Sequence, residues 1–328
     1  METLVVGYES FCDYHTIQAA VHALEQQDLS APVTLYILPG VYEEAVRIYR
    51  SQLAVIGIGE VEITMNRYAK ERDEAGEEIG TFATPTLFLG GSDLLVENLT
   101  VTNSAGQGPE VGQAVAVYAH CDRTVFRNCR FKGHQDTLFT GPLPPAPRER
   151  LTFGGIPIRE FHTNYYQLYQ HCRIEGTVDF IFGGATAYFE ACEIHSLPHT
   201  SEGSGYITAA STPLGQTYGY VFHQCFLTAA PGTTPVYLGR PWREYAQTAF
   251  VNCRMGEHIQ PSGWDNWNNA ANEATVRYGE YGVRNAAALR PGRVAWAECL
   301  ETGEESFSLK NVFAGTRFYE EDVRKRRT

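Results

Sequence analysis

The segments VFRNCRFKG (125–133), LYQHCRIEG (168–176), YFEACEIHS (188–196), VFHQCFLTA (221–229) and AFVNCRMGE (249–257) are one unit written five times. Each has a hydrophobic residue three places before its cysteine and another two places after it. VENLTVTN (96–103) reads as a further copy with Asn98 in the cysteine's place. The cysteines are 43, 20, 33 and 28 residues apart, so the unit is fixed while the connections vary. A strand returning every ~20 to 30 residues predicts a parallel β-solenoid with rungs ~4.8 Å apart.

Outward from the repeat, Ile17, Ala20, Val21 and Leu24 recur at helical spacing and predict a short helix from near Thr16 to Gln26 and Gln27. At the N-terminal end it would cap the open coil, where unpaired backbone invites edge-to-edge association. Val33–Leu38, Ala54–Ile58, Thr86–Leu89 and Leu94–Val101 read as strands broken by Gly, Asn and Asp. The expected fold is therefore all-β: a single-domain right-handed parallel β-helix over 1–316 with an N-terminal capping helix. Residues 317–328, with RKRR at 324–327, read as a solvated tail.

The repeat reinterprets the cysteines. Five of the eight share one position in the unit, which makes them small core residues stacked along the coil. Cys172 and Cys192, one rung apart, are near enough to bridge in an oxidising compartment. No CxxC or His/Cys spacing of a zinc site is present.

Composition narrows the function class. Of 328 residues, 38 are acidic and 26 basic, a net charge of −12, which argues against nucleic acid as a partner. No apolar stretch reaches the ~20 residues of a membrane span, so no membrane association is expected. METLVVGYES lacks the basic and apolar regions of a signal peptide. The expectation is a cytoplasmic monomer if Met1 is the natural start, and a secreted one if a leader has been trimmed.

The same ruler finds a site. Asp136 lies seven residues after Cys129, and Asp179 seven after Cys172. Equivalent cysteines would place the two carboxylates on one face of consecutive rungs, about 5 Å apart. Two carboxylates that close cannot both ionise easily, so one should hold a proton near neutrality. That suits an acid/base beside a nucleophile. A retaining glycosidase also wants carboxyl groups ~5 to 5.5 Å apart, so spacing alone leaves ester and glycoside chemistry open. A pair of solvated loop carboxylates is the bland reading.

GQAVAV (112–117), GHQDTLF (133–139), GTVDFIFG (176–183) and YLGRPW (237–242) resemble the motif series of the pectin methylesterases, carbohydrate esterases on a right-handed parallel β-helix of the pectin-lyase-like kind. TIQAAV (16–21), LPGVYEE (38–44), ENLTVTNSAG (97–106), SGWDNW (262–267) and RVAWAECL (293–300) extend the likeness, in the family's order, over nearly the whole chain. The resemblance implies hydrolysis of the C6 methyl esters of polygalacturonate to pectate and methanol. It implies Asp179 as nucleophile, Asp136 as general acid/base, and Gln113 and Gln135 as oxyanion donors. Arg240 would pair with Asp179 and lower its pKa while that of Asp136 rises, which separates the two roles. Trp242 and Phe182 match positions that pack on pyranose rings, and Thr86 matches a substrate-contacting threonine. The implied substrate is methyl-esterified homogalacturonan or its oligomers; no cofactor and no metal is called for.

Trp264 and Trp267 read as core packing. His134, beside the acid/base, reads as a supporting residue, because no GxSxG elbow accompanies it. The chain departs from a plain rung between Cys129 and Cys172, where GPLPPAPRERLTFGGIPIREF (141–161) is a long Pro- and Gly-punctuated loop. It leaves after Asp136 and returns before Asp179, so it should wall or lid the groove. A lyase or polygalacturonase on the same fold, and a catalytically dead carbohydrate-binding solenoid, are the competing readings; the intact residue set argues against the last.

Overall fold

The computed structural model describes residues 2–27, 31–148, 151–200, 203–284, 290–300 and 303–316; the 317–328 tail and its RKRR lie outside them. Each cysteine unit is two strands meeting at a corner. Thr124–Arg127 is followed by Asn128 at φ 52° and Cys129, and then by Arg130–Lys132. His171, Ala191, Gln224 and Asn252 hold the same left-handed corner before their cysteines, at φ 51–56°. Each cysteine side chain then turns inward and is buried.

Asn98 belongs to that corner and not to the cysteine position. The register pairs Val125 with Leu95 and Arg130 with Thr100, so Leu99 stands where the other rungs have cysteine. The reason is backbone chemistry: Asn tolerates left-handed φ, which Asn98 adopts at 57°. Hence the strand expected over Leu94–Val101 is two, Leu95–Glu97 and Thr100–Asn103.

The strands of successive coils pair in parallel to form three faces, of eleven, eight and seven strands among the described residues. The coil is right-handed, the hand that twisted strands favour in parallel crossovers. Inside, the residue three before each cysteine builds a ring stack. Phe126, Tyr169, Phe189, Phe222 and Phe250 follow one another at 4.6, 4.6, 4.4 and 4.6 Å. The thiols of Cys172, Cys192, Cys225 and Cys253 reach the main-chain carbonyls of Phe126, Tyr169, Phe189 and Phe222 in the preceding rung, at 3.2–3.5 Å. Burial raises the Cys172 and Cys192 thiols well above their ordinary range, and both are free thiols in the ladder, not a disulfide.

The helix spans Ile17–Glu25, with the Thr16 hydroxyl accepting from the Ala19 N–H and Glu44 accepting from the N–H groups of Ile17 and Gln18. Its buried face, Ile17, Ala20, Val21 and Leu24, joins the solenoid core. A strand unforeseen from the sequence, Glu2–Val6, precedes it and pairs with Val33–Ile37 at the end of the eleven-stranded sheet. One short apolar run offers no period to read, so only its pairing identifies it.

The seven-stranded face carries the site. In spatial order its strands are Val46–Ile48, Leu87–Leu89, Val117–Ala119, Leu138–Thr140, Ile181–Gly183, Gly205–Ala210 and Val236–Pro241. Alternation sends Leu87, Val117, Leu138 and Ile181 into the core. The aligned outward row is Arg47, Phe88, Tyr118, Phe139, Phe182, Ala209 and Arg240. Close rung contact demands glycine beside it: a Cβ on Gly239 would lie 2.0 Å from the Thr208 hydroxyl.

Candidate active site

Asp136 and Asp179 sit in register at the entry to neighbouring strands of this face, because Leu138 pairs with Ile181 two residues further on. The Asp136 N–H donates to the Val178 carbonyl at 3.0 Å, which ties one aspartate's turn to the other's. Both occupy left-handed backbone, at φ 65° and 49°. Such conformations cost of order 1–3 kcal/mol and persist where the surroundings over-determine them. Both residues are buried, at 8% and 7% exposed.

Arg240 distinguishes the two. It stands two rungs beyond that of Asp179, and the residue between Phe182 and Arg240 in the row is Ala209, small enough to be reached over. Its Nε and Nη2 donate to Oδ1 and Oδ2 of Asp179 at 2.8 and 2.7 Å, a bidentate fork. The guanidinium is held between the rings of Tyr206 and Trp267, 3.9 and 3.8 Å from their centroids.

Burial and the charge of Asp179 push the Asp136 carboxyl well above the ordinary range, with Arg240 opposing weakly. Asp179 is also raised by burial, against the expectation that Arg240 would lower it; Arg240's charge and hydrogen bonds oppose that rise, and Asp265 adds to it. Burial of the Asp179 carboxyl therefore outweighs the guanidinium's pull. The order survives: the Asp136 carboxyl is raised further, and Asp179 is the one matched to a cation.

A cavity of about 480 Å³ opens over the pair. Gln113 and Gln135 line it from neighbouring rungs, joined where the Ala114 N–H donates to the Gln135 carbonyl. Phe182, Trp242 and Arg240 line it as expected. Thr86 does not: it is fully buried, and its hydroxyl donates to the Thr102 carbonyl at 3.0 Å. Lining on that side comes instead from Thr81 and Phe82. His134 lies outside the cavity lining, its ring held toward the neutral form by burial.

The two tryptophans divide. Trp264 is 1% exposed and stacks on Tyr278 at 4.2 Å, which is the core role expected of it. Trp267 faces the cavity instead. Its main-chain N–H donates to Asp265 Oδ1 at 2.7 Å and the residue adopts φ 59°, a turn that throws the ring outward. The spacing of three between the tryptophans in WDNW was the only signal, and no period resolved it. Tyr206, clamping Arg240, left no signal.

The 141–161 loop brings Pro147, Arg148, Thr152 and Phe153 to the cavity. It is fastened at one end by Arg243 donating to the Ala146 carbonyl at 2.7 Å, and further on by the Ile156 N–H donating to the Phe82 carbonyl at 3.0 Å. It forms a wall of the site.

A pectinesterase family model matches residues 3–143 and 160–322. Pectinesterase 31 of Arabidopsis thaliana is 33% identical over 317 residues, covering 94% of this chain and 90% of its own. Other curated relatives are longer: the chain is 32% identical to Probable pectinesterase/pectinesterase inhibitor 64 of Arabidopsis thaliana over 318 residues, 92% of this chain and 48% of the relative. The chain spans about half the length of such relatives. Among solved structures, the pectin methylesterase from carrot superposes with a TM-score of 0.80 at 28% identity, covering 96% of this chain and 94% of its own. A pectin methylesterase mutant solved in complex with a hexasaccharide superposes at 0.76 and 25% identity, over 96% of this chain and 98% of its own.

Proposed function

The chain belongs to the pectinesterase family, and from that premise we propose that it hydrolyses the C6 methyl esters of homogalacturonan or its oligomers, releasing methanol. The observation that carries this reading is the pair Asp136–Asp179 in register, with Arg240 forked onto one member only.

The chemistry follows from that asymmetry. An Asp179 oxygen attacks the ester carbonyl carbon, and the carbonyl electrons move onto oxygen. The amide N–H groups of Gln113 and Gln135 are the donors for that oxyanion. Collapse expels methoxide, which takes the proton of Asp136 and leaves as methanol, so an anhydride joins Asp179 to the sugar. Asp136, now ionised, takes a proton from water, and the hydroxide formed attacks the galacturonyl carbonyl. Asp179 departs as a carboxylate to its Arg240 fork, and the balance is ester plus water to acid plus methanol. Phe182, Trp242 and Trp267 offer ring surface to a pyranose.

The test is methanol release from methylated pectin by the wild type and by Asp179→Ala. Stoichiometric methanol and acid from the wild type alone supports the reading. A new reducing end or an unsaturated sugar would point to backbone cleavage, and wild-type methanol release by the variant would remove Asp179 from its role.

A further inference from the structure

Two guanidiniums besides that of Arg240 meet at one wall of the cavity. Arg148 Nη2 donates to the Trp242 carbonyl at 2.7 Å, and Arg243 Nη1 donates to the same oxygen at 2.8 Å. The two nitrogens can therefore be no further apart than those two bonds laid end to end. Arg243 Nη2 donates to the Ala146 carbonyl at 2.7 Å. Each guanidinium also lies over a tryptophan ring, Arg243 over Trp242 at 4.8 Å and Arg148 over Trp267 at 5.0 Å.

Fastening the loop does not need both. Arg243 alone ties Ala146 to Trp242, so a second guanidinium on that carbonyl adds like-charge repulsion to a connection already made. Burial, and after it the charge of Arg148, push the Arg243 guanidinium down to about 10. A carboxylate set against the pair would offset that repulsion, and the planar guanidinium fork is the side chain that matches a carboxylate. Arg240 is already matched to Asp179, whereas Arg148 lines the same cavity as Asp136, Asp179, Trp242 and Trp267. Arg148 belongs to 144–159, the stretch that the family match passes over; Arg243 lies within the match. The loop that departs from the family pattern thus brings a cation to the substrate groove.

Resting on the esterase reading, we infer that Arg148, backed by Arg243, forms a carboxylate subsite at the Trp242 and Trp267 wall of the cavity, where it takes the free C6 carboxylate of a galacturonate unit near the ester being cut. Hydrolysis itself makes that anion, since each event turns a neutral ester into a carboxylate on the same chain. Arg148 is therefore a specificity-determining residue. It favours an ester with a de-esterified neighbour on that side over an ester in a fully methylated run. This contact acts at short range. Repulsion between the whole protein, at −12, and an anionic chain acts over distance and is the first to be screened by salt.

The test compares two oligogalacturonides of one length at one ionic strength, the first fully methylated and the second with free acids beside its esters. Wild-type kcat/KM for methanol release, per ester, should be about fivefold higher on the second, the upper end for an ion pair open to water. Arg148→Gln, which keeps a donor for the Trp242 carbonyl, should bring that ratio close to one. Lys132→Ala removes the same charge from the eight-stranded face and should leave the ratio at its wild-type value. A wild-type ratio of one or less, a ratio that Arg148→Gln leaves in place, or an equal fall in Lys132→Ala overturns the inference. Methanol from neither substrate overturns the esterase reading instead. The subsite is then read by calorimetry: Arg148→Gln should bind fully de-esterified oligogalacturonate about fivefold more weakly than the wild type, and equal binding overturns it.

Discussion

Two ladders climb the same solenoid. The inner one, Phe126 through Phe250, repeats one chemistry at every rung and buries it. The outer one, Phe88 through Arg240, uses the same parallel register but changes from aromatic ring to alanine to guanidinium. Repetition inside yields cohesion, since each ring packs on its like. Change outside yields a site, because register brings unlike groups within a rung spacing of each other. Asp136 and Asp179 lie at the boundary: in register like the inner ladder, yet mutually repelling and held in left-handed backbone.

The sharpest way to break this comparison is to mutate one member of each ladder system. Asp179→Asn should lower methanol release by about 10⁴-fold or more, as loss of a covalent nucleophile does, with no loss of thermal stability. Phe189→Ala should do the reverse, costing roughly 3–5 kcal/mol of unfolding free energy in denaturant titration while kcat per folded molecule stays near the wild type. If Phe189→Ala depressed kcat as deeply, the ladders would not be functionally separate.

Next in size are Gln113→Ala and Gln135→Ala. Each should cost about 10² to 10³-fold in kcat with KM little changed, since the donors act on an oxyanion absent from the ground state. A purely KM effect in steady-state assays would make them substrate-binding groups.

A smaller effect concerns stability. Asp136 has a folded-state pKa raised above its unfolded value, so ionisation at neutral pH opposes folding. Asp136→Asn should therefore raise the unfolding temperature at pH 7 by a few degrees while abolishing turnover. The gain should vanish as pH falls below the ordinary carboxylate range, where the wild-type group is protonated folded or unfolded. Calorimetry showing a gain that grows with acidity would reverse the assignment.

The smallest effect should come from net charge. At −12, the body of the protein repels de-esterified, anionic stretches more than methylated ones. Activity on partly de-esterified pectin should then rise severalfold at most with ionic strength until screening is complete. A monotonic fall would show that a local positive field around Arg240 and Arg243 dominates.

What was legible in the sequence tracks the comparison closely. The inner ladder announced itself because repeated burial forces repeated residue types, and the equal offset of Asp136 and Asp179 from their cysteines carried that register out to the site. Asn98 was misplaced because its amide looked like a core substitution, when its tolerance of left-handed φ made it a corner. Trp267 and Tyr206 were missed because their orientation depends on one loop's turn and on a partner 34 residues away. The place of the 141–161 loop beside the site was legible, since it leaves after Asp136 and returns before Asp179, but nothing in separate short strands shows that Phe82 packs over Tyr118 and Phe139.

The central claim is that register makes the aspartates neighbours and Arg240 makes them unequal. The most direct measurement is the pH dependence of kcat/KM for methanol release by the wild type and by Arg240→Gln. The wild type should show a bell, falling in acid as Asp179 protonates and in alkali as Asp136 ionises. Without the fork that opposes protonation of Asp179, the acid limb should move to higher pH and the maximum should shrink. An acid limb that stays in place would contradict the account, because Arg240 would then not be what keeps the nucleophile ionised.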